Sequence, residues 1–114
     1  MPLEVHFAIL HCYEPEDNDS LFESGEDECI LSWNGQPFWQ GKMKGGRDRD
    51  TDTFRRFGNQ DPGFVELTEE DSPDPNDHLG THPIRQDELS QGWHRAFFRS
   101  DEASYHLDYE VFNS

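Results

Sequence analysis

The sequence predicts a mainly β protein, a compact antiparallel β-sandwich or small barrel, of which we favour the sandwich, with long acidic loops and at most one or two short helices. Short segments alternate apolar and polar residues, as strands with one buried face do. Stretches rich in Gly, Pro, Asn and Asp separate these segments. The 114 residues include nine Phe, three Trp and three Tyr, enough aromatic residues for a β core. This length predicts a single domain over residues 1–114.

Three elements are predicted in the first half. LEVHFAIL at 3–10 alternates as a strand, with one face formed by Leu3, Val5, Phe7 and Ile9. Residues 14–28 hold eight acids and read as a long loop, which CILSW at 29–33 follows as a second strand. Asn34-Gly35 predicts a two-residue hairpin turn, and Pro37 makes the returning strand an edge strand. GGRDRDTDT at 45–53 reads as another polar loop.

The second half continues the pattern. FVELT at 64–68 is a strand that leads into ELTEEDSPDPNDHLG at 66–80, in which six of fifteen residues are carboxylates. Residues 85–92 suit one or two helical turns that end at Gly92. WHRAFF and YHLDYEVF are extended, and the second has one apolar face formed by Tyr105, Leu107, Tyr109 and Val111. The three Trp residues, at 33, 39 and 93, are expected in the core or at its edge.

The charge balance restricts the possible partners. Nine Lys and Arg face 25 Asp and Glu, a formal net charge of -16. Such acidity disfavours nucleic acids and anionic membranes, and favours cations, basic protein surfaces or simple solubility. The opening MPLEVHFAIL has no basic region and no long apolar run, so we expect neither a signal peptide nor a membrane span, and a cytoplasmic location. Cys12 and Cys29 are then expected as reduced, partly buried thiols, with a disulfide or redox pair as the alternative.

The spacing of three acids is the most informative feature. Glu69, Asp71 and Asp77 follow the pattern ExDxxxxxDxLG after an alternating strand. Side chains at 69 and 71 share one side of an extended segment. The Ser-Pro-Asp-Pro-Asn turn then folds Asp77 back towards them. Three carboxylates are therefore expected to converge at one loop tip.

This pattern resembles the calcium-binding loop of C2 domains, in which a strand ends in two alternating acids and a third precedes a hydrophobic-Gly step. Glu69 departs from the family's more usual Asp, although its longer side chain can still coordinate calcium. The resemblance implies a partner loop after the first strand, with Asp27 in the later ligand position and either Asp17 or Asp19 in the earlier one. The 14–28 loop is longer than the family's, so both remain candidates.

Calcium suits such a cluster, because Ca²⁺ takes about 6 to 8 oxygen ligands. Two carboxylates about 4 Å apart repel by roughly 4 kcal/mol at an effective dielectric near 20. A divalent ion removes that repulsion. The simpler reading is that these loops are solvated and acidic for solubility.

Other sites are less well supported. The run at 48–52 imitates an EF-hand loop but has Thr53 and Asn59 where Gly and Glu are required, so it is a solvated turn or at most a secondary ion contact. His6 and His11 are five residues apart, which on a strand places them on opposite faces. The two cysteines lack the CxxC spacing of structural zinc sites. The chain has no GxSxG, no phosphate-binding glycine loop and no evident nucleophile with a base, so we do not expect an enzyme.

The leading hypothesis is a cytosolic non-EF-hand calcium-binding protein, acting as a calcium buffer or sensor. Its size and acidity also resemble the small calcium-binding proteins of heterocyst-forming cyanobacteria, which implies sequestration of calcium and control of heterocyst differentiation. The alternative is an acidic interaction protein, such as a DNA mimic or an inhibitor of a basic partner. A mimic spreads its carboxylates along a face, whereas a calcium protein brings them together. The calcium hypothesis includes no nucleic-acid partner and disfavours a membrane.

Overall fold

The computed structural model describes residues 3–14, 26–59, 61–70, 76–100 and 103–113. These ranges contain β-strands joined by short turns and one 3-10 helix at Gln86–Glu88. The strands are β1 (Leu3–Glu14), β2 (Glu26–Trp33), β3 (Gln36–Lys44), β4 (Asp48–Arg56), β5 (Gly63–Glu69), β6 (Asp77–Ile84), β7 (His94–Arg99) and β8 (Ser104–Asn113).

The strands form two four-stranded sheets. Sheet A has the order β4-β1-β8-β7 and sheet B the order β3-β2-β5-β6. All neighbouring strands within each sheet run antiparallel. The two sheets enclose one hydrophobic core. This arrangement confirms the predicted antiparallel β-sandwich with little helix.

The core consists of the inward faces that sequence alternation predicts. Cys29, Leu31 and Trp33 of β2 are buried, as are Val65 and Leu67 of β5. On β8 the four side chains predicted to share one face, Tyr105, Leu107, Tyr109 and Val111, are all buried, and His106 of the opposite face is buried as well. Burying this apolar surface supplies the main driving force for the fold, at about 25 cal/mol per Å².

A β-bulge in β1 changes the predicted face of that strand. Phe7 pairs with Tyr109 of β8, but Ile9 pairs with Asp108, so Ala8 is an extra residue on β1. Beyond the bulge Leu10 and Cys12 point into the core, whereas Ile9 is only half-buried. The expectation that Ile9 shares the inward face is therefore wrong.

The predicted polar loop at 45–53 is also corrected, because β4 begins at Asp48. Two arginines of this strand pack on rings from β3. Arg49 lies over Trp39 at 5.8 Å from the ring centroid, and Arg55 lies over Phe38 at 5.6 Å. An edge strand at the border of a sandwich can therefore carry charge on both faces, which removes the hydrophobic alternation that identifies other strands.

The turn predictions are correct. Asn34 and Gly35 have φ of 49° and 86°, the left-handed values that a two-residue hairpin turn requires, and they join β2 to β3. Strand β3, which contains Pro37, lies at the edge of sheet B. The 3-10 helix is the expected short helical segment, although it ends before Gly92. No helix in the described ranges is long and apolar enough to cross a membrane.

Candidate metal centre

Both acidic segments leave the sandwich at the same end. The start of β2 lies beside the end of β5, where the Glu70 amide donates a hydrogen bond to the Glu28 carbonyl at 2.8 Å. In the sheet register Cys29 faces Glu69, and Glu69 faces Asp77 at the start of β6. The segments that precede β2 and follow β5 therefore meet the sheet close together, as the two-loop prediction requires.

Asp27 is fully buried at this end of the core. It shares the inward face of β2 with Cys29 and Leu31, because positions two apart on a strand point the same way. The Tyr105 hydroxyl of β8 donates a hydrogen bond to Asp27 Oδ2 at 2.5 Å. This bond crosses from sheet A to sheet B, and hydrogen bonding of this kind is needed because burying a carboxylate without polar contacts is costly.

Glu69 is the second buried carboxylate, with 7% of its surface exposed. It continues the inward face of β5 after Val65 and Leu67. Asp77, its register partner on β6, is half-buried. Asp27, Glu69 and Asp77 thus come from three adjacent strands, β2, β5 and β6, at one end of sheet B.

The groups next to these carboxylates keep their protons at neutral pH. The pKa of the Cys29 thiol is raised to about 12, chiefly by burial and also by the nearby Asp27, Cys12 and Glu69, against a hydrogen bond with Tyr105 that lowers it. Burial also raises the pKa of the Tyr105 hydroxyl, as does the proximity of Cys29 and Asp27. Tyr105 therefore remains a hydrogen-bond donor. Both cysteines are buried thiols, in agreement with the expectation of reduced cysteines.

Three of the six predicted ligands, Asp27, Glu69 and Asp77, lie in the described part of the chain. Asp17, Asp19 and Asp71 fall outside the described residues. Within the described ranges no group of three or more His, Cys, Asp or Glu side chains is arranged to hold a metal ion. The described residues therefore place three of the six predicted ligands at one end of sheet B, without a complete set of ligands for an ion.

Two acids of β4 do not point to this site. The Asp48 carboxylate is bonded to His11 Nδ1, and Asp52 Oδ1 lies 2.9 Å from His6 Nε2. Because of the bulge in β1, both histidines lie on the outer surface of sheet A, so their predicted placement on opposite faces is wrong. These two carboxylates therefore lie on the outer surface of sheet A, and the secondary ion contact considered for residues 48–52 stays a prediction.

Tyr105 is the residue that sequence reasoning missed. Its position on the apolar face of β8 marks it as core, but nothing in the sequence pairs it with Asp27, 78 positions away. The one available signal is chemical, since a buried tyrosine hydroxyl generally finds a hydrogen-bond partner.

Comparison with solved structures defines the fold. C2 domain A of plant extended synaptotagmin 1 superposes with a TM-score of 0.61 and 12% sequence identity, over 98% of this chain and 95% of that one. The calcium-bound pair of C2 domains, A and B, of extended synaptotagmin 2 gives 0.59 and 20%, over 97% of this chain and 46% of that one. Human GIVD cytosolic phospholipase A2 gives 0.54 and 19%, over 96% of this chain and 16% of that one.

These similarities identify the chain as a β-sandwich with the C2-like fold. No protein-family model matches the sequence, and neither does any curated protein. At these identities the structural neighbours establish the fold alone. The resemblance read from the acidic loop pattern is confirmed to that extent.

Proposed function

We propose that this protein binds calcium at the end of the sandwich where β2 begins and β5 ends. The observation that carries the proposal is the pair of buried carboxylates, Asp27 and Glu69, on adjacent strands beside both acidic segments. Extended synaptotagmin 2, a protein with a similar fold, has been solved with calcium bound.

The donor chemistry fits a hard divalent cation. Oxygen atoms are the preferred ligands of Ca²⁺, which accepts roughly 6 to 8 of them from carboxylates, carbonyls and water. Asp27, Glu69 and Asp77 would form the inner part of the site, and Asp71 with Asp17 or Asp19 would complete it. The ion would supply positive charge that offsets the repulsion among these groups.

The role that follows is calcium buffering or sensing. The net charge of -16 attracts cations and opposes an anionic bilayer, so the proposal includes no membrane partner. Control of heterocyst differentiation stays a prediction, since it depends only on the resemblance in size and acidity. A cytoplasmic location and the lack of catalytic activity also stay predictions.

Calorimetry and thermal unfolding test the proposal. We expect saturable calcium binding at micromolar to sub-millimolar concentrations. At one hundred times the dissociation constant, binding stabilises the fold by about 2.7 kcal/mol. For a domain of this size that raises Tm by about 10 °C. No heat and no thermal shift at about 5 mM calcium, well above this affinity range, would refute calcium binding.

Substitutions then test the assignment of the ligands. Asp71→Asn or Asp77→Asn should weaken the tightest site at least tenfold, about 1.4 kcal/mol. Asp87→Asn is the matched control, because Asp87 is exposed in the 3-10 helix, which follows β6 at the other end of the sandwich. Unchanged affinity in both site variants would show that calcium binds elsewhere on the molecule.

A further inference from the structure

Exposed aromatic side chains concentrate on one surface of the protein. Among the described residues five large hydrophobic side chains are at least 42% exposed. Four of them, Tyr13, Phe54, Trp93 and Phe97, lie on the outer surface of sheet A, and we call this surface the outer aromatic face. The fifth, Phe64, belongs to sheet B. Trp93, expected at the core or its edge, is the most exposed of the five, at 56%.

The rings at one end of this face form a continuous platform across the strands. His6 of β1 stacks on Phe54 of β4 with ring centroids 4.2 Å apart and an interplanar angle of 5°. Trp93 also lies beside His6, with ring centroids 5.5 Å apart. Phe112 of β8 packs edge-on against Phe54 at 5.9 Å. Contiguous exposed apolar surface of this kind marks interaction sites in soluble proteins.

Several acidic side chains lie beside the platform, together with one exposed arginine, Arg56, two residues beyond Phe54 on the same face of β4. The aspartates of β4 are separated by residues that point to the opposite face of the sheet. Asp48 and Asp52 contact His11 and His6, respectively, on the outer surface. The intervening Arg49 is turned away, over Trp39 and towards the Lys42 carbonyl. The side chain of Asp52 is 77% exposed, so it remains accessible beside His6.

The same face already holds a cation over an aromatic ring. The Arg99 guanidinium lies over Phe97 at 4.7 Å from the ring centroid. Arg95 of the same strand pairs with Asp108 at 3.4 Å. Guanidinium groups favour both of these arrangements, because they stack on rings and pair with carboxylates. The end with Phe54 and Trp93 offers the same two kinds of group, rings and carboxylates, to a guanidinium from another molecule.

We propose that the outer aromatic face binds an arginine-rich, extended segment of another protein. Guanidinium groups would stack on Phe54 and Trp93 and pair with Asp50 and Asp52. The net charge of -16 would attract a basic segment and increase its association rate. This surface is distinct from the proposed calcium site, so binding is expected without calcium.

The test uses two synthetic twelve-residue peptides in physiological salt with a calcium chelator. One carries arginines spaced by glycine and serine, and the other has citrulline, the uncharged analogue, in their place. Binding to the full chain is measured by calorimetry. We expect the arginine peptide to bind at least tenfold more tightly than the citrulline peptide. Equal affinity for the two peptides would overturn the proposal.

Ring variants distinguish binding at the outer aromatic face from nonspecific attraction to the net negative charge of the protein. Phe54→Ala combined with Trp93→Ala should weaken binding of the arginine peptide at least tenfold. Phe64→Ala, which removes a similarly exposed ring from sheet B, should change it less than twofold. Equal effects of the two changes would assign binding to overall charge and overturn the proposal.

A variant that lacks two aspartates of β4 tests the proposal without changing the aromatic rings. Asp50→Asn combined with Asp52→Asn should weaken binding at least threefold, and its melting temperature should stay near that of the unmodified protein. Unchanged binding in that folded variant would also overturn the proposal. So would a homodimer that dissociates in the Phe54→Ala, Trp93→Ala protein, because the face would then belong to a second copy of the chain.

Discussion

The hydrogen bond between Tyr105 and Asp27 predicts how the proposed calcium site is coupled to stability. The Tyr105→Phe substitution removes one oxygen atom and leaves the ring in the core. The main bond that is lost joins the buried hydroxyl to the buried Asp27 carboxylate at 2.5 Å, and the hydrogen bond of that hydroxyl with Cys29 is lost as well. Hydrogen bonds to charged groups contribute about 1.5–3 kcal/mol. We therefore expect the free energy of unfolding to fall by about 2 kcal/mol.

The assay is urea and thermal unfolding without calcium and again with excess calcium. A loss of about 2 kcal/mol lowers Tm by about 8 °C in a domain of this size. In excess calcium the loss should be smaller, because an ion at Asp27 would replace part of the missing interaction. Tyr13→Phe is the control, since Tyr13 also bonds a side chain, His106 Nδ1 at 2.7 Å, but is half exposed.

A Tyr105→Phe protein as stable as the unmodified one, within about 0.5 kcal/mol without calcium, would refute this reasoning. It would mean that the carboxylate is stabilised by other contacts. An equal loss in the free energy of unfolding with and without calcium would confirm that the bond stabilises the fold, but it would show that Asp27 does not contact the ion.

Three further predictions concern packing, pH and thiol chemistry. Gly80→Ala should destabilise the fold by about 2 kcal/mol in urea unfolding, because the added Cβ would lie 2.9 Å from the Phe98 Cα; equal stability would contradict that close approach. Burial lowers the pKa values of His82 and His106 below the ordinary value of about 6.5. The unfolded chain therefore binds protons at these histidines at a higher pH than the folded protein does, so the free energy of unfolding declines as the pH falls below about 6.5. Unfolding free energies measured from pH 8 to 5 should decline, with a shallower slope in His82→Gln, and an unchanged slope would exclude that histidine. Cys29, buried and with a pKa of about 12, should react with a thiol reagent at pH 8 only after unfolding, and rapid labelling of the native protein would contradict its burial.

The parts of the fold that could be predicted are those in which local pattern and burial agree. Cys29, Leu31 and Trp33 alternate along a central strand, and all three are buried. Asn34-Gly35 has the backbone preference of its turn, and both residues adopt it. In these segments the short-range signal and the tertiary environment favour the same conformation.

The errors have a common physical origin. The sequence predicts a loop at the start of β4 because its residues are charged, yet two of its arginines pack their planar groups on Trp39 and Phe38 instead of filling the core. Trp93 is expected at the core edge because it is large and apolar, but it lies on the outer surface near His6. The positions of these arginines and of Trp93 depend on contacts with residues of other strands, which the alternation along one strand cannot reveal.

The candidate site could be predicted only as a set of acids. Spacing identifies Glu69 and Asp77 as neighbours, and they are register partners in the sheet. The degree of burial of Asp27 and its bond to Tyr105 depend on how the two sheets face each other. No local pattern contains that information.

The extra residue at Ala8 makes the length of β1 as important as its composition. If β1 continued through Ala8 without the bulge, the alternation of Val5 and Phe7 would turn Ile9 and His11 towards the core. Leu10 and Cys12 would then be exposed to water. Strands are usually compared by the residues they contain, but in this one the bulge between Phe7 and Leu10 decides which side chains the protein shows to its surroundings.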